Sequence, residues 1–123
     1  MYQQITIIGH LGANPAMKFT PDGKAVANFS VATSRKYKDT DETTWFRVST
    51  WDKQAEACNQ YLRKGSKVFV SGRLACDKAT GGPRVYQRDD GTWAASFEVV
   101  ASDVKFLDSK PEQARQDDDF VPF

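Results

Sequence analysis

Short apolar stretches that alternate with polar residues, separated by turn-forming residues, dominate the chain and predict strands. Gln4-Ile5-Thr6-Ile7-Ile8 is rich in β-branched residues and closes on Gly9, and Gly12 with Asn14-Pro15 interrupts the chain soon after. Pro21-Asp22-Gly23 has the residues of a tight turn. From Ala25 to Ser34 the odd positions Ala27, Phe29, Val31 and Thr33 share one face, with Asn28, Ser30 and Ser34 opposite. Arg35 to Thr44 is polar and reads as a hairpin loop, after which Trp45 to Trp51 resumes strand character. One stretch reads as a helix: Asp52 is placed to cap it, Ala55, Cys58 and Leu62 fall at i, i+3 and i+7, and Gly65 can end it in the left-handed conformation. Lys67 to Leu74 alternates again, with Val68, Val70 and Leu74 on one side and Lys67, Phe69 and Arg73 on the other. Gly81-Gly82-Pro83 breaks the chain and Asp89-Asp90-Gly91 is a second turn. Trp93 to Ala101 is a long final strand, with Val104 to Leu107 pairing at its end.

Five strands with a single helix after the third is the element count of an OB-fold, a small Greek-key barrel. The chain of 123 residues has room for one such domain and a short appendage. Beyond Ser109 the composition turns polar and acidic, with too little apolar content to order itself. The expected division is an all-β domain over 1–108, a short linker over 109–116 and a disordered acidic tip over 117–123.

Charge changes this picture. The formal net charge is only +1. Pro111 to Phe123, however, hold four acids against Arg115, net −3, which leaves 16 basic and 12 acidic residues in 1–110, net +4. A basic body with an acidic tail predicts an anionic partner for the first and a different partner for the second. No apolar run reaches the roughly 18 residues of a membrane helix. The N-terminus has no basic leader followed by an apolar stretch, so the expected location is cytoplasmic, with no membrane partner. His10 is the sole histidine, and Cys58 and Cys76 have no metal-ligand spacing, so no metal or other cofactor is expected. With no general-base histidine, nucleophile elbow or phosphate loop, an enzyme is not expected either.

The candidate chemistry lies in what shares a face. Within Trp45 to Trp51, the odd positions Trp45, Arg47, Ser49 and Trp51 form one side, and Phe46, Val48 and Thr50 form the other. An isolated tryptophan in a small barrel belongs more often to the core, but two in phase with an arginine do not, because arginine seldom shares a buried face. Lys67, Phe69 and Arg73 repeat the mixture, Arg35-Lys36-Tyr37-Lys38 sets a tyrosine among cations, and Tyr86 sits between Arg84 and Arg88. Aromatic planes for stacking interleaved with cations that track phosphates are what sequence-tolerant binding of single-stranded nucleic acid requires. The tip Asp117-Asp118-Asp119-Phe120-Val121-Pro122-Phe123 places three carboxylates before an apolar end, which suits a basic-rimmed pocket on another protein. A merely solubilising end would explain the aspartates but not the phenylalanines.

These residues resemble the family of bacterial single-stranded DNA-binding proteins. The stretches that carry the resemblance are Ile8-Gly9-His10-Leu11-Gly12 with Asn14-Pro15, Phe19 to Gly23, Val26 to Thr33, Trp45 to Val48, Tyr61 to Val68 and the tip. The resemblance implies an OB-fold, assembly as a homotetramer and wrapping of single-stranded DNA in replication, recombination and repair. It further implies stacking by Tyr37, Trp45 and Trp51 and phosphate contacts by Arg35, Arg47, Lys53, Lys64 and Arg73, to which the pattern adds Lys36 and Lys67. The tip is implied to recruit replication, recombination and repair proteins, and Phe46 falls where members often place a subunit-interface residue. Where members commonly carry a further aromatic, this chain has Ala79-Thr80-Gly81, so Tyr86 or Trp93 is expected to supply that platform. Members also tend to have a long linker, whereas the nine residues Asp108 to Gln116 here span on average roughly 15–18 Å, which predicts competition between the tip and DNA for the chain's own groove. Two rivals remain at this point: a primosome-like adaptor on the same fold with weak DNA affinity, and a metal-dependent nuclease. RNA-chaperone activity is a variant of the main reading, since stacking does not read the 2′-hydroxyl.

Overall fold

The computed structural model describes residues 1–107; the linker and tip over 109–123 lie outside the described residues. Among the described residues, seven strands and one helix run in the order β1 (Ile5–Leu11), β2 (Ala16–Phe19), β3 (Ala25–Tyr37), β4 (Thr40–Trp51), α1 (Asp52–Tyr61), β5 (Lys67–Ala75), β6 (Arg84–Gln87) and β7 (Trp93–Phe106). Five of them close a ring, β1–β5–β7–β4–β3, sealed by the pairs His10↔Ala32 and Leu11↔Val31 between β3 and β1. All the neighbours are antiparallel except β4 and β7. The closed five-stranded barrel with one helix is the OB-fold that the element count predicts.

Alternation fills the interior. Phe29 and Val31 from β3, Val48 from β4, Val68 and Val70 from β5 and Val99 from β7 are all buried. α1 adds Ala55 and Cys58, with Leu62 just past its end, all three with almost no exposure. Gly9 and Gly72 mark where backbones approach most closely: a Cβ would lie 2.2 Å from the Ala32 carbonyl oxygen at the first, and 2.1 Å from that of Val100 at the second.

Several elements depart from the expectations of the pattern. Arg35 to Thr44 is not a loop but the far half of a β3–β4 ribbon, turning only at Lys38 and Asp39. Its register is kept by cross-strand pairs such as Arg35 and Glu42, whose side chains meet at 3.0 Å. Asp52 does not cap α1: Trp51 holds the cap position and no side chain bonds the first amides. Asp52 is instead the first helical residue, where the helix dipole favours a negative charge. Likewise the helix ends at Leu62 in an extended conformation, and the left-handed Gly65 (φ 90°) serves the next turn, donating its amide to the Leu11 carbonyl at 2.8 Å. The two final strand segments are one strand, β7, bulged where Ser71 and Gly72 pair with Asp103 and Ala101. The pattern does not signal the short strands β2 and β6, and Leu74 is exposed because β5 outruns the core there.

Candidate nucleic-acid interface

Register decides which side chains meet. Across the outer surface of β2, β3 and β4, Lys18 lies beside Val26 and Val26 beside Trp51; Asn28 pairs with Ser49, Ser30 with Arg47, and Ala32 with Trp45. Residues that face one another across a ladder point to the same side, so the two indoles and Arg47 stand along one edge of a floor of small residues. Trp45 is 53% exposed and Trp51 42%, and Arg47 is exposed as well. Six residue steps separate the indoles, about 20 Å along the strand at 3.3 Å per residue, with Arg47 between them. The floor is itself hydrogen-bonded, with the Ser49 hydroxyl donating to Asn28 Oδ1 at 2.8 Å.

Trp45 owes its position to a neighbour with no side chain. A Cβ at Gly12 would come within 2.6 Å of its Cζ3 and 2.7 Å of its Cη2, so the indole lies directly on the Gly12 backbone. Beyond Gly12, Asn14 accepts a hydrogen bond from the Lys64 amide at 2.8 Å, which brings the Lys64 loop to the Trp45 end. Lys53, in the first turn of α1, comes after Trp51 at the other end.

The face continues onto β7, β5 and β6. Arg47 lies beside Glu98 in the parallel β4–β7 ladder, Arg73 pairs with Val100, Arg84 with Ser96, and Tyr86 with Ala94. Glu98 accepts from Arg84 Nε at 3.0 Å and from the Ser96 hydroxyl at 2.9 Å. The Arg84 guanidinium also sits 5.4 Å from the Tyr86 ring centroid. At the tip of the β3–β4 ribbon, Tyr37 lies between Arg35 and Lys38, 5.7 and 5.5 Å from its ring centre, with Lys36 exposed alongside.

Along the ribbon Arg35 and Tyr37 keep the parity of buried Phe29 and Val31, which puts them on the side opposite Trp45 and Arg47. Trp93 and Lys67 also point away from the expected site. Trp93 pairs with Gln87, one step out of phase with Tyr86, so the two candidates for the further platform occupy opposite sides of the β6–β7 hairpin. Trp93 (67% exposed) shares its side with Val85 and Phe97, and the Phe97 ring lies 5.8 Å from that of Phe46. Lys67 and Phe69 line a separate groove of about 450 Å³ with Ile8, Lys105 and Leu107, on the β1–β5 side of the barrel. Sequence reasoning misses Lys18 and Arg84: Lys18 belongs to a strand of only four residues, and Arg84 reads only as a flank of Tyr86. Among the described residues no group of three or more histidine, cysteine or acidic side chains is placed to hold a metal ion, and no helix is long and apolar enough to cross a membrane.

Residues 2–107 match the single-strand binding protein family. Curated relatives include a single-stranded DNA-binding protein of Neisseria meningitidis serogroup A, 34% identical over 116 residues, which cover 90% of this chain and 63% of the relative. Single-stranded DNA-binding protein 1 of Chlorobaculum tepidum is 36% identical over 116 residues, covering 87% and 65%. A single-stranded DNA-binding protein of Oceanobacillus iheyensis is 33% identical over 120 residues, covering 95% and 70%. The chain thus spans a little under two thirds of the Neisseria and Chlorobaculum relatives.

Proposed function

Because the chain belongs to the single-strand binding protein family, we propose that it binds single-stranded DNA without sequence preference and protects it in replication, recombination and repair. One observation carries this reading: two exposed indoles flank an exposed arginine on a floor of small residues. Bases stack on Trp45 and Trp51, and on Tyr37 and Tyr86 further out, while Arg35, Lys36, Arg47, Lys53, Lys64 and Arg73 meet phosphates. Stacking contributes about 1–3 kcal/mol per base, and each neutralised phosphate about −0.7 to the salt slope. The role is non-catalytic. The tip Asp117 to Phe123 recruits partner proteins and, on its short linker, competes with DNA for the groove.

Assembly is the other half of the proposal. Two apolar patches lie off the DNA face, one with Val85, Trp93 and Phe97 and the other with Ile8, Phe69 and Leu107. A tetramer of dihedral symmetry needs two distinct two-fold interfaces, and two separate patches provide them. Trp93 belongs to the first of these in this reading.

Titration with poly-dT, read by tryptophan fluorescence, tests the function. Strong quenching that weakens with salt is expected, and Trp45→Ala with Trp51→Ala should cost on the order of 2–6 kcal/mol per subunit. Unchanged affinity in that double variant refutes the assigned face; no saturable binding by the unaltered protein refutes the function. A primosome-like adaptor would show only weak binding in the same titration.

A further inference from the structure

Resting on the DNA-binding reading, we propose that Arg84 is a further phosphate contact and that Glu98 holds it in reserve, so that DNA engages Arg84 only by displacing one of the protein's own carboxylates.

Glu98 is an acid set among the cations of this face. By register it lies beside Arg47, one row from Arg73, and it is bonded to Arg84. The pair is unequally exposed: 53% for the Arg84 side chain and 24% for Glu98. The carboxylate is sunk into the sheet, anchored by the Ser96 hydroxyl, while the guanidinium stays open to solvent. Arg84 meets the acid through Nε, and among the described residues its two terminal nitrogens have no protein hydrogen bond, so a phosphate can take one of them together with Nε once the Glu98 bond to Nε is exchanged. Its planar group lies near the Tyr86 ring, so cation and stacking platform form one unit at the end of the face.

The energetics favour exchange. A half-exposed ion pair is weak, since solvent screens it. A phosphate offers the same guanidinium two acceptor oxygens in a bidentate geometry. Glu98 keeps its Ser96 bond after release and a solution cation takes the place of Arg84 beside it, so the acid is not stranded. The exchange has a signature in salt. Phosphate capture by Arg84 releases a cation from DNA, but the freed carboxylate takes one up, and the two nearly cancel. Removing the carboxylate restores the release, which steepens the slope of log K against log salt by about 0.7. The device therefore weakens binding most at low salt, where a strand would otherwise be held too firmly to be handed on.

The test is a cycle of Glu98→Gln, Arg84→Gln and the double variant of the full chain, titrated with oligo-dT from 50 to 200 mM salt, with thermal melts to confirm folding. Glu98→Gln should bind more tightly, and its advantage over the unaltered protein should shrink about 2.6-fold across that fourfold salt range. Arg84→Gln should bind more weakly, and Glu98→Gln should bring little gain once Arg84 is gone. Glu98→Ala is the second variant should the glutamine disturb the hairpin. No gain in either Glu98 variant overturns the proposal. A gain that survives in full without Arg84 overturns it too, since the acid would then act by general repulsion. Both results leave the DNA-binding reading standing, whereas an unaltered protein that fails to bind oligo-dT removes that reading as well.

Discussion

Gly12→Ala isolates the Trp45 platform without touching any charge or aromatic group. The added methyl would sit 2.6 and 2.7 Å from two carbons of the indole, against an ordinary separation of 3.5–4.0 Å, so the ring must retreat by roughly 1 Å. Little resists that movement, because the clash is with the far end of a side chain that is 53% exposed, and Gly12 is not in the left-handed region. The fold should therefore hold, with Tm shifted by only a few degrees. Binding should not. Tilting or lifting the ring removes up to one stacking contribution, about 1–3 kcal/mol, which is about a fivefold to 150-fold rise in Kd. A double-mutant cycle read by oligo-dT titration makes the inference specific: with Trp45→Ala already present there is no ring to displace, and Gly12→Ala should cost almost nothing further. Additive losses, or full affinity in the Gly12→Ala single variant, would refute the idea that this glycine seats the platform.

Gly72→Ala should behave in the opposite way, lowering stability by about 1–3 kcal/mol or more, because the new Cβ meets the Val100 backbone oxygen and not a movable side chain. Thermal melts at fixed protein concentration check it, at roughly 4–8 °C per kcal/mol for a domain of this size. The cysteines should divide sharply under a thiol reagent at pH 8: exposed Cys76 reacts in the folded state, while Cys58 reacts only on unfolding. Burial pushes the Cys58 thiol up to about 11 from its ordinary 9.0, partly offset by a hydrogen bond with Thr50. The folded state thus favours the neutral thiol, and its stability, complete below pH 9, should fall between pH 9 and 11 by on the order of 2–3 kcal/mol; denaturant titrations should show that loss vanish in Cys58→Ser. Finally, Val85→Glu and Ile8→Glu should each reduce the assembly by one step in light scattering, whereas an unchanged mass in both variants would remove the two-patch account of the tetramer.

Much of the fold is legible because burial writes a period of two into strands. Phe29 and Val31, Val48, and Val68 with Val70 all face inward as their alternation requires. Where the strands outrun the core the signal disappears. Both faces of the β3–β4 ribbon are polar from Arg35 to Thr44, and hairpin pairing, including a 3.3 Å contact between the Ser34 and Thr43 hydroxyls, keeps it extended instead. The pattern splits β7 for a different reason. Val99 faces inward before the bulge and Val104, opposite buried Val70, after it, so the inward parity changes from odd to even near Ser102. A single-phase alternation shows two segments at such a point. The side taken by Tyr86 or Trp93 is likewise beyond local pattern, since a four-residue strand exposed along its whole length has no buried face to declare its phase.

The site depends as much on missing volume as on the aromatic and cationic side chains that draw attention to it. The interior sides of β3 and β4 are already filled by Phe29, Val31 and Val48, and the barrel has no interior space for either indole. Outside, the positions facing Trp51, Ser49, Arg47 and Trp45 across the ladder are Val26, Asn28, Ser30 and Ala32, none large enough to cover a ring. Gly12 adds the closest approach of all. A leucine or phenylalanine at Ser30 or Ala32 would leave every candidate aromatic and cation in place and still close the groove. Small residues at those positions contribute almost nothing to the core, because they face away from it. In the proposed reading, their size keeps the indoles above them accessible, which ties the sheet's register to the binding proposed for this face.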